Sequence, residues 1–358
     1  MTVVHALFFR ENWNEMAALK QNIRVGVAIC LAWTTFTASA FAADHAIRQS
    51  EFVFESAPFK SCHASTLAET KEGLVAAWFG GTAEGKPDVG IWFSRHTRDG
   101  WSSPVEVANG NQADGGRVPC WNPVLYQAPG GNLLLFYKIS NTIKTWKGML
   151  MSSADAGKTW SMPRRLPEGI LGPIKNKPVR LADGALLCPT SSESDGWRVY
   201  LERTEDLGEH WTKTDFLNDD KIIGAIQPTI LDHGVAGLQI LCRTKQGRIG
   251  QSWSHDGGKT WKKIELTSLL NPNSGIDAVQ LKDGRSLLIY NDSAKSRTPL
   301  NLAISDDGKT WKTGPVLETE RGEYSYPAII QTSDGLVHAT YTWKRAKIRH
   351  VVLDMTKR

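Results

Sequence analysis

Short apolar runs alternate with turn clusters along most of this chain. Leu133–Phe136 and Ser286–Tyr290 are typical runs, and Asp183-Gly184, Asp283-Gly284 and Asp334-Gly335 are typical turns. Runs of this length bounded by Asp-Gly read as β-strands joined in hairpins. The pattern repeats about every fifty residues. Six times a short strand opens a unit: Cys62–Leu67, Cys120–Leu125, Asn176–Val179, Ile226–Ile230, Ile276–Val279 and Tyr324–Ile329. Aligned by their apolar residues, Ala64, Pro123, Pro178, Pro228, Ala278 and Pro327 fall at matching places.

A second motif interleaves with the first. Ser153-x-Asp155-x-Gly157-x-Thr159-Trp160 returns as Thr204 to Trp211 and as Ser254 to Trp261. It is one residue shorter at Ser305 to Trp311 and decayed at Ser94 to Trp101. Its chemistry is that of a turn: hydroxyl and carboxylate side chains bond nearby backbone, glycine supplies positive φ, and tryptophan enters the next strand. Six openings predict six units. A four-stranded unit cannot bury both faces alone, so the units must close into a ring. The expected fold is therefore all-β, a six-bladed β-propeller of four-stranded antiparallel blades. The sixth unit lacks the turn motif, and the alternating segment Glu51–Glu55 is expected to close the ring as its outer strand, hiding an edge.

The N-terminus breaks the pattern. Lys20 and Arg24 precede an apolar run from Val25 to Ala43, and Ala40-Phe41-Ala42 offers a small-x-small cleavage site. Residues 1–42 read as a signal peptide, with Met16 a possible start, and residues 43–358 as one propeller exported to the periplasm or the medium. The alternative for the apolar run is a membrane anchor, although it is short and holds Thr and Ser. Composition adds little but fits: 14 Trp and 32 Gly among 358 residues suit stacked aromatics and many turns. The net charge of +5 falls to about +4 once Arg10, Lys20 and Arg24 leave with Glu11 and Glu15. No basic stripe points to nucleic acid. Cys62, Cys120, Cys188 and Cys242 remain after the leader and are expected to be buried free thiols. No metal-ligand spacing appears, and no cofactor is expected.

The turn motif resembles the Asp-box of sialidase-like propellers, and nearly the whole chain beyond the leader resembles the BNR/Asp-box repeat superfamily. Arg117–Pro123, Gly172–Pro178, Ile226–Thr229 and Gly322–Pro327 look like signatures of its predicted bacterial neuraminidase branch. The resemblance implies that opening strands line the axis, that ligands bind at one mouth, and that Asp-boxes sit structurally at the opposite rim. His63, Trp121, Asn122, Lys175, Lys177, Gln227, Asp277, Tyr324 and Tyr326 would then converge on the axis. Second-strand ends add Glu193, Arg243, Asn291 and Trp343, and loops add Asp88, Arg117, Arg297 and Arg345.

Sialidases grip a carboxylate with three arginines, whose planar forks match it bidentately, and use a Tyr nucleophile activated by Glu with an Asp acid/base. By resemblance, Tyr326 or Tyr324 is the nucleophile, Glu193 its partner, and Asp88 the acid/base, with Glu84 competing. Arg243 and Arg297 resemble two of the three arginines. Each also has an ordinary structural reading, in the core, a loop or an ion pair. The sequence departs from the family at the first opening strand, where His63-Ala64-Ser65 stands in place of Arg-Ile-Pro. Arg117 or Lys175 is expected to compensate. Three readings stay open: an exo-acting sialidase-type hydrolase of terminal acidic sugars; a uronate-linked glycan lyase or α-rhamnosidase with His63 as acid/base; and a non-catalytic glycan-binding propeller. All three imply a glycan partner, anionic in the first two, and a monomer.

Overall fold

A computed structural model describes residues 46–356, so the leader assigned to residues 1–42 lies outside the described residues. The regular structure is β-strand, apart from single 3-10 turns at Ile143–Thr145 and Gly234–Ala236. The strands form six antiparallel sheets. Blade 1 runs outward from Ser61–Thr70 through Gly73–Gly81 to Gly90–Thr97, whose outer side pairs with both Gly100–Trp101 and Val105–Ala108. Blades 2 to 5 repeat the order, with inner strands Cys120–Gln127, Val179–Arg180, Ala225–Asp232 and Asp277–Gln280.

Blade 6 has Tyr324–Gln331 innermost, then Val337–Trp343 and Lys347–Leu353. Its outer strand is Ile47–Phe52, which pairs antiparallel with Lys347–Leu353. The ring is thus closed by the N-terminal strand, a few residues earlier than the Glu51–Glu55 expected.

The molecule has no single core. Six apolar clusters occur among the described residues, one at each interface between neighbouring blades. This explains the strand sequences. A strand clamped between two blades is buried on both faces and reads as a continuous apolar run, as in Leu133–Ile139. An outer strand such as Glu265–Leu270 has no buried residue and is half exposed.

The Asp-boxes do what their chemistry suggests. In the second blade Ser153 Oγ donates to Asp155 Oδ1 at 2.8 Å, and the amides of Gly157 and Thr159 donate back to the Ser153 hydroxyl and Asp155 carboxylate, each at 2.8 Å. Trp160 then packs edge-on against Phe93 of blade 1, with centroids 5.5 Å apart. Gly157 has φ +84°, and a Cβ there would lie 2.2 Å from Phe93, so only glycine fits. Cys62, Cys120, Cys188 and Cys242 are free and buried.

Candidate active site at the axial mouth

The inner strands of blades 1, 2, 4 and 6 share a defect. Each has a register shift, at His63/Thr66, Trp121/Val124, Ile226/Thr229 and Ser325/Ala328. Inside each shift sits a non-glycine residue with positive φ: Ala64 at 57°, Asn122 at 32°, Gln227 at 54° and Tyr326 at 51°. A bulge of this kind re-aims one side chain, and the left-handed backbone costs on the order of 1 kcal/mol or more per residue. The bulges also correct the alignment of the openings. Ala64 matches Asn122, Gln227 and Tyr326, not the prolines, which match Ser65. His63 therefore stands level with Trp121, Ile226 and Ser325.

Two of the re-aimed side chains meet. Arg243 Nη1 donates to the Tyr326 hydroxyl at 2.8 Å, and Gln227 Nε2 donates to the same oxygen at 3.2 Å. The other edge of Arg243 is pinned by Asn273, whose Oδ1 accepts from Nε at 3.1 Å. His63 lies against the Tyr326 ring, with centroids 4.1 Å apart, and its Nδ1 is 3.0 Å from the Thr342 hydroxyl. Burial pushes the imidazole well below the usual histidine range, and Arg345, Arg297, Arg243 and Lys175 push it further. His63 is thus a neutral ring among cations.

Three arginines surround this pair. The Arg243 and Arg297 guanidinium carbons lie 5.6 and 5.9 Å from the Tyr326 ring centre. The third is Arg345, which sits on the turn between the last two strands of blade 6. Its carbonyl accepts from the Cys62 amide at 2.9 Å, which places it beside the opening strand of blade 1. Lys344 and Arg345 both have positive φ, at 50° and 59°, a hairpin geometry usually given to Asn-Gly. Glu323 braces the cluster, its Oε1 accepting from Arg297 at 2.6 Å and Arg345 at 2.7 Å. Burial raises its carboxyl, but Arg345 and Arg297 outweigh that and hold it low. Arg345 also pairs with Glu84 of blade 1 at 2.5 Å.

Several residues expected at the mouth have other work. Tyr324 is fully buried in the cluster between blades 5 and 6, because the bulge at Tyr326 puts the two tyrosines in different environments. Lys177 Nζ binds Asp277 Oδ2 at 2.8 Å, and that carboxylate also accepts from the Thr229 hydroxyl at 2.8 Å and the Ile329 amide at 2.9 Å. Lys177 and Asp277 are therefore a tie across blades 3, 4, 5 and 6. Asn291 holds the carbonyls of Pro299 and Tyr324, each at 3.0 Å. Lys175 is buried and donates to the carbonyls of Ile276, at 2.9 Å, and Pro327; burial lowers its ammonium to about 7.

Arg117 pairs with Glu106 at 2.6 Å and does not stand in for the missing arginine. The Asp88 carboxylate caps its own loop, accepting from the Thr82 hydroxyl and, at 2.7 Å, the Thr82 amide. The Thr82 hydroxyl is the main reason that carboxyl is held low, which is the wrong direction for a general acid. Glu193 does not reach the tyrosine: among the described residues no carboxylate bonds the Tyr326 hydroxyl. Burial raises the Glu193 carboxyl, opposed by nearby Arg243 and reinforced by Glu84. Trp121 forms the wall towards blade 2, 5.9 Å from Trp146, and Asn122 is buried beside it. Arg345 was expected as a loop residue at the mouth, but not as the third arginine; Glu323 falls inside the Gly322–Pro327 signature, yet nothing local marks it as the brace of Arg297 and Arg345.

Residues 72–339 match the BNR repeat-like domain. Over 235 residues the chain is 24% identical to a sialidase of Bacteroides fragilis (strain YCH46), covering 57% of this chain but only 42% of that protein. Among solved structures, a protein of unknown function from Dyadobacter fermentans superposes with a TM-score of 0.71 at 18% identity, covering 86% of this chain and 98% of that one. The Hadza microbial sialidase Hz136 gives 0.70 at 18% identity, over 83% of this chain and 66% of that one. The NanB sialidase of Streptococcus pneumoniae gives 0.69 at 12% identity, over 86% and 71%. At these identities the solved structures speak to the fold.

Proposed function

The chain belongs to the BNR repeat-like domain family, and on that premise we propose that it is an exported, sialidase-type glycosidase acting on a terminal, carboxylate-bearing sugar at the axial mouth. The observation that carries this reading is Tyr326, aimed at the axis by a strained bulge, with its hydroxyl held by Arg243 and flanked by Arg297 and Arg345. The arginines would receive the sugar carboxylate, since guanidinium forks match it. Glu323 already uses one edge of Arg297 and Arg345, which fixes their direction before any ligand arrives. Tyr326 is the nucleophile in this reading: the Arg243 and Gln227 donors favour its phenolate, the proton passing to solvent, and the phenolate oxygen then bonds the anomeric carbon as the glycosidic C–O bond breaks. Glu193, raised by burial, is the proton donor best suited to a leaving group.

A second reading has its own observation. The Tyr326 hydroxyl meets the neutral amide of Gln227 rather than a carboxylate, and its ring touches neutral His63. A Tyr–His pair beside arginines also suits β-elimination from a uronic acid: the arginines neutralise the carboxylate, neutral His63 takes the C5 proton, the C4–O bond breaks as the C4–C5 double bond forms, and the Tyr326 hydroxyl protonates the departing oxygen. Residues 43–358 would be offered a fluorogenic sialoside and, separately, an oligosaccharide in which a glucuronate carries a sugar on its 4-oxygen. Sialoside turnover that Tyr326→Phe lowers at least about a thousandfold supports the glycosidase. Ultraviolet absorbance from an unsaturated uronate, with the sialoside untouched, replaces it with the lyase. Binding of either glycan without turnover leaves a lectin-like propeller.

A further inference from the structure

A second cavity opens between blades 2 and 3, of about 380 Å³. That lies within the ~300–1,000 Å³ usual for ligand pockets. It adjoins the mouth through two residues. Ser191 lines the cavity, and its hydroxyl accepts from the Gln227 amide at 3.0 Å; the Gln227 side chain in turn bonds the Tyr326 hydroxyl. Glu193 also lines it, close enough to feel the charge of Arg243. On the opposite wall, Trp146 lines the cavity and abuts Trp121 of the mouth.

The lining has the chemistry that sugars select: aromatic faces with hydroxyls and charges at their edges. Phe216 stays 50% exposed, although it is large and apolar. The Tyr200 ring meets it edge-on at 5.6 Å, and the Arg198 guanidinium carbon lies over it at 5.2 Å. Those contacts hold the ring still without covering it. Trp146 Nε1 is buried without a hydrogen-bond partner, a donor left unsatisfied at the wall.

We propose that this cavity is the subsite for the sugar next to the terminal acidic residue, which stacks on Phe216 while Glu193 stands at the junction of the two sites. The inference rests on the reading of the mouth as a site for an anionic terminal sugar. It assigns a length preference: the protein holds a disaccharide or longer chain more tightly than a single residue, extending its grip from blades 4 and 6 to blades 2 and 3.

The test uses a glycan array carrying sialic acid and glucuronic acid, each as a single residue and at the end of two- to four-residue chains. Tyr326→Phe, which binds without turnover, and the double variants that add Phe216→Ala or Arg243→Ala to it, each verified as folded by its circular dichroism and melting curve, are applied. Tyr326→Phe is expected to hold the longer glycans about tenfold or more tightly than the single residues. Adding Phe216→Ala should lose that advantage and keep the single-residue binding, whereas adding Arg243→Ala should lose both. If chain length does not matter to Tyr326→Phe, or Phe216→Ala leaves the advantage intact, the subsite is overturned while the mouth reading stands. Longer glycans whose binding survives Arg243→Ala would show a separate site, which also overturns the subsite. No retention of any acidic glycan by Tyr326→Phe overturns both readings.

Discussion

Lowering the pH should loosen the seam where the ring closes. There His338 Nδ1 meets His350 Nε2 at 3.0 Å, and His350 Nδ1 meets Glu51 Oε1 of the N-terminal strand at 3.0 Å. Trp101 Nε1 of blade 1 reaches the same carboxylate at 3.2 Å, and His96 lies 3.5 Å from it. With both histidines neutral, His338 donates to His350 and His350 to Glu51. With both protonated, two N–H groups face each other across the His338–His350 contact.

Burial lowers His338 to about 4, with His350 and His96 adding to the shift and Asp334 opposing it. Its unfolded value is about 6.5. The folded pKa is depressed for a base, so the unfolded chain binds the proton better. The stability is fully present above about pH 6.5 and is lost as the pH falls towards 4. Between pH 7.5 and pH 5 the loss amounts to roughly 1.5 units at 1.36 kcal/mol each, about 2 kcal/mol. Burial also lowers His350, against the pull of Glu51, so its share has the same sign.

In a chain of this size that corresponds to a fall in Tm of roughly 3 °C. The assay is thermal melting across pH 5 to 7.5 for wild type and for His338→Gln, which keeps a polar partner for His350 but does not titrate. The two curves should converge as the pH falls, because only wild type loses the His338 share. Parallel curves over that range would refute the assignment. Neutral His63 titrates in both proteins and cancels from the difference.

Other outcomes follow from the same structure. Asp277→Ala removes the carboxylate that ties Lys177, Thr229 and the Ile329 amide, and should cost about 3 kcal/mol or more in urea unfolding. Asp256→Ala strips the acceptor for the Thr260 and Lys259 amides at the opposite rim; it should lower the Tm while leaving kcat/KM on the mouth substrate unchanged. Arg243→Lys keeps the charge but loses the fork that spans Tyr326 and Asn273, and should lower kcat/KM at least tenfold with little change in melting. If the leader is removed at its small-x-small site, N-terminal sequencing of the exported protein should read Ala43 first.

The sequence by itself determined what depends on neighbours along the chain. The Asp-boxes were legible because every bond in them joins residues two to four apart, as from Ser153 to Asp155 and Gly157. Six openings counted the blades, and a strand without a partner at one end predicted closure by the other. Tertiary structure decided what depends on faces and on contacts between blades. A bulge adds one residue to a strand, and one residue turns a side chain to the opposite face. That is why Tyr326 reaches the axis while Tyr324 enters the core, and why alignment by apolar residues set Ala64 against prolines instead of Asn122 and Gln227. Arg345 joins the site only because the ring closes, bringing a turn of the last blade against Cys62 of the first. No local pattern encodes a contact between residues nearly three hundred positions apart; the closure of the sheet ring does.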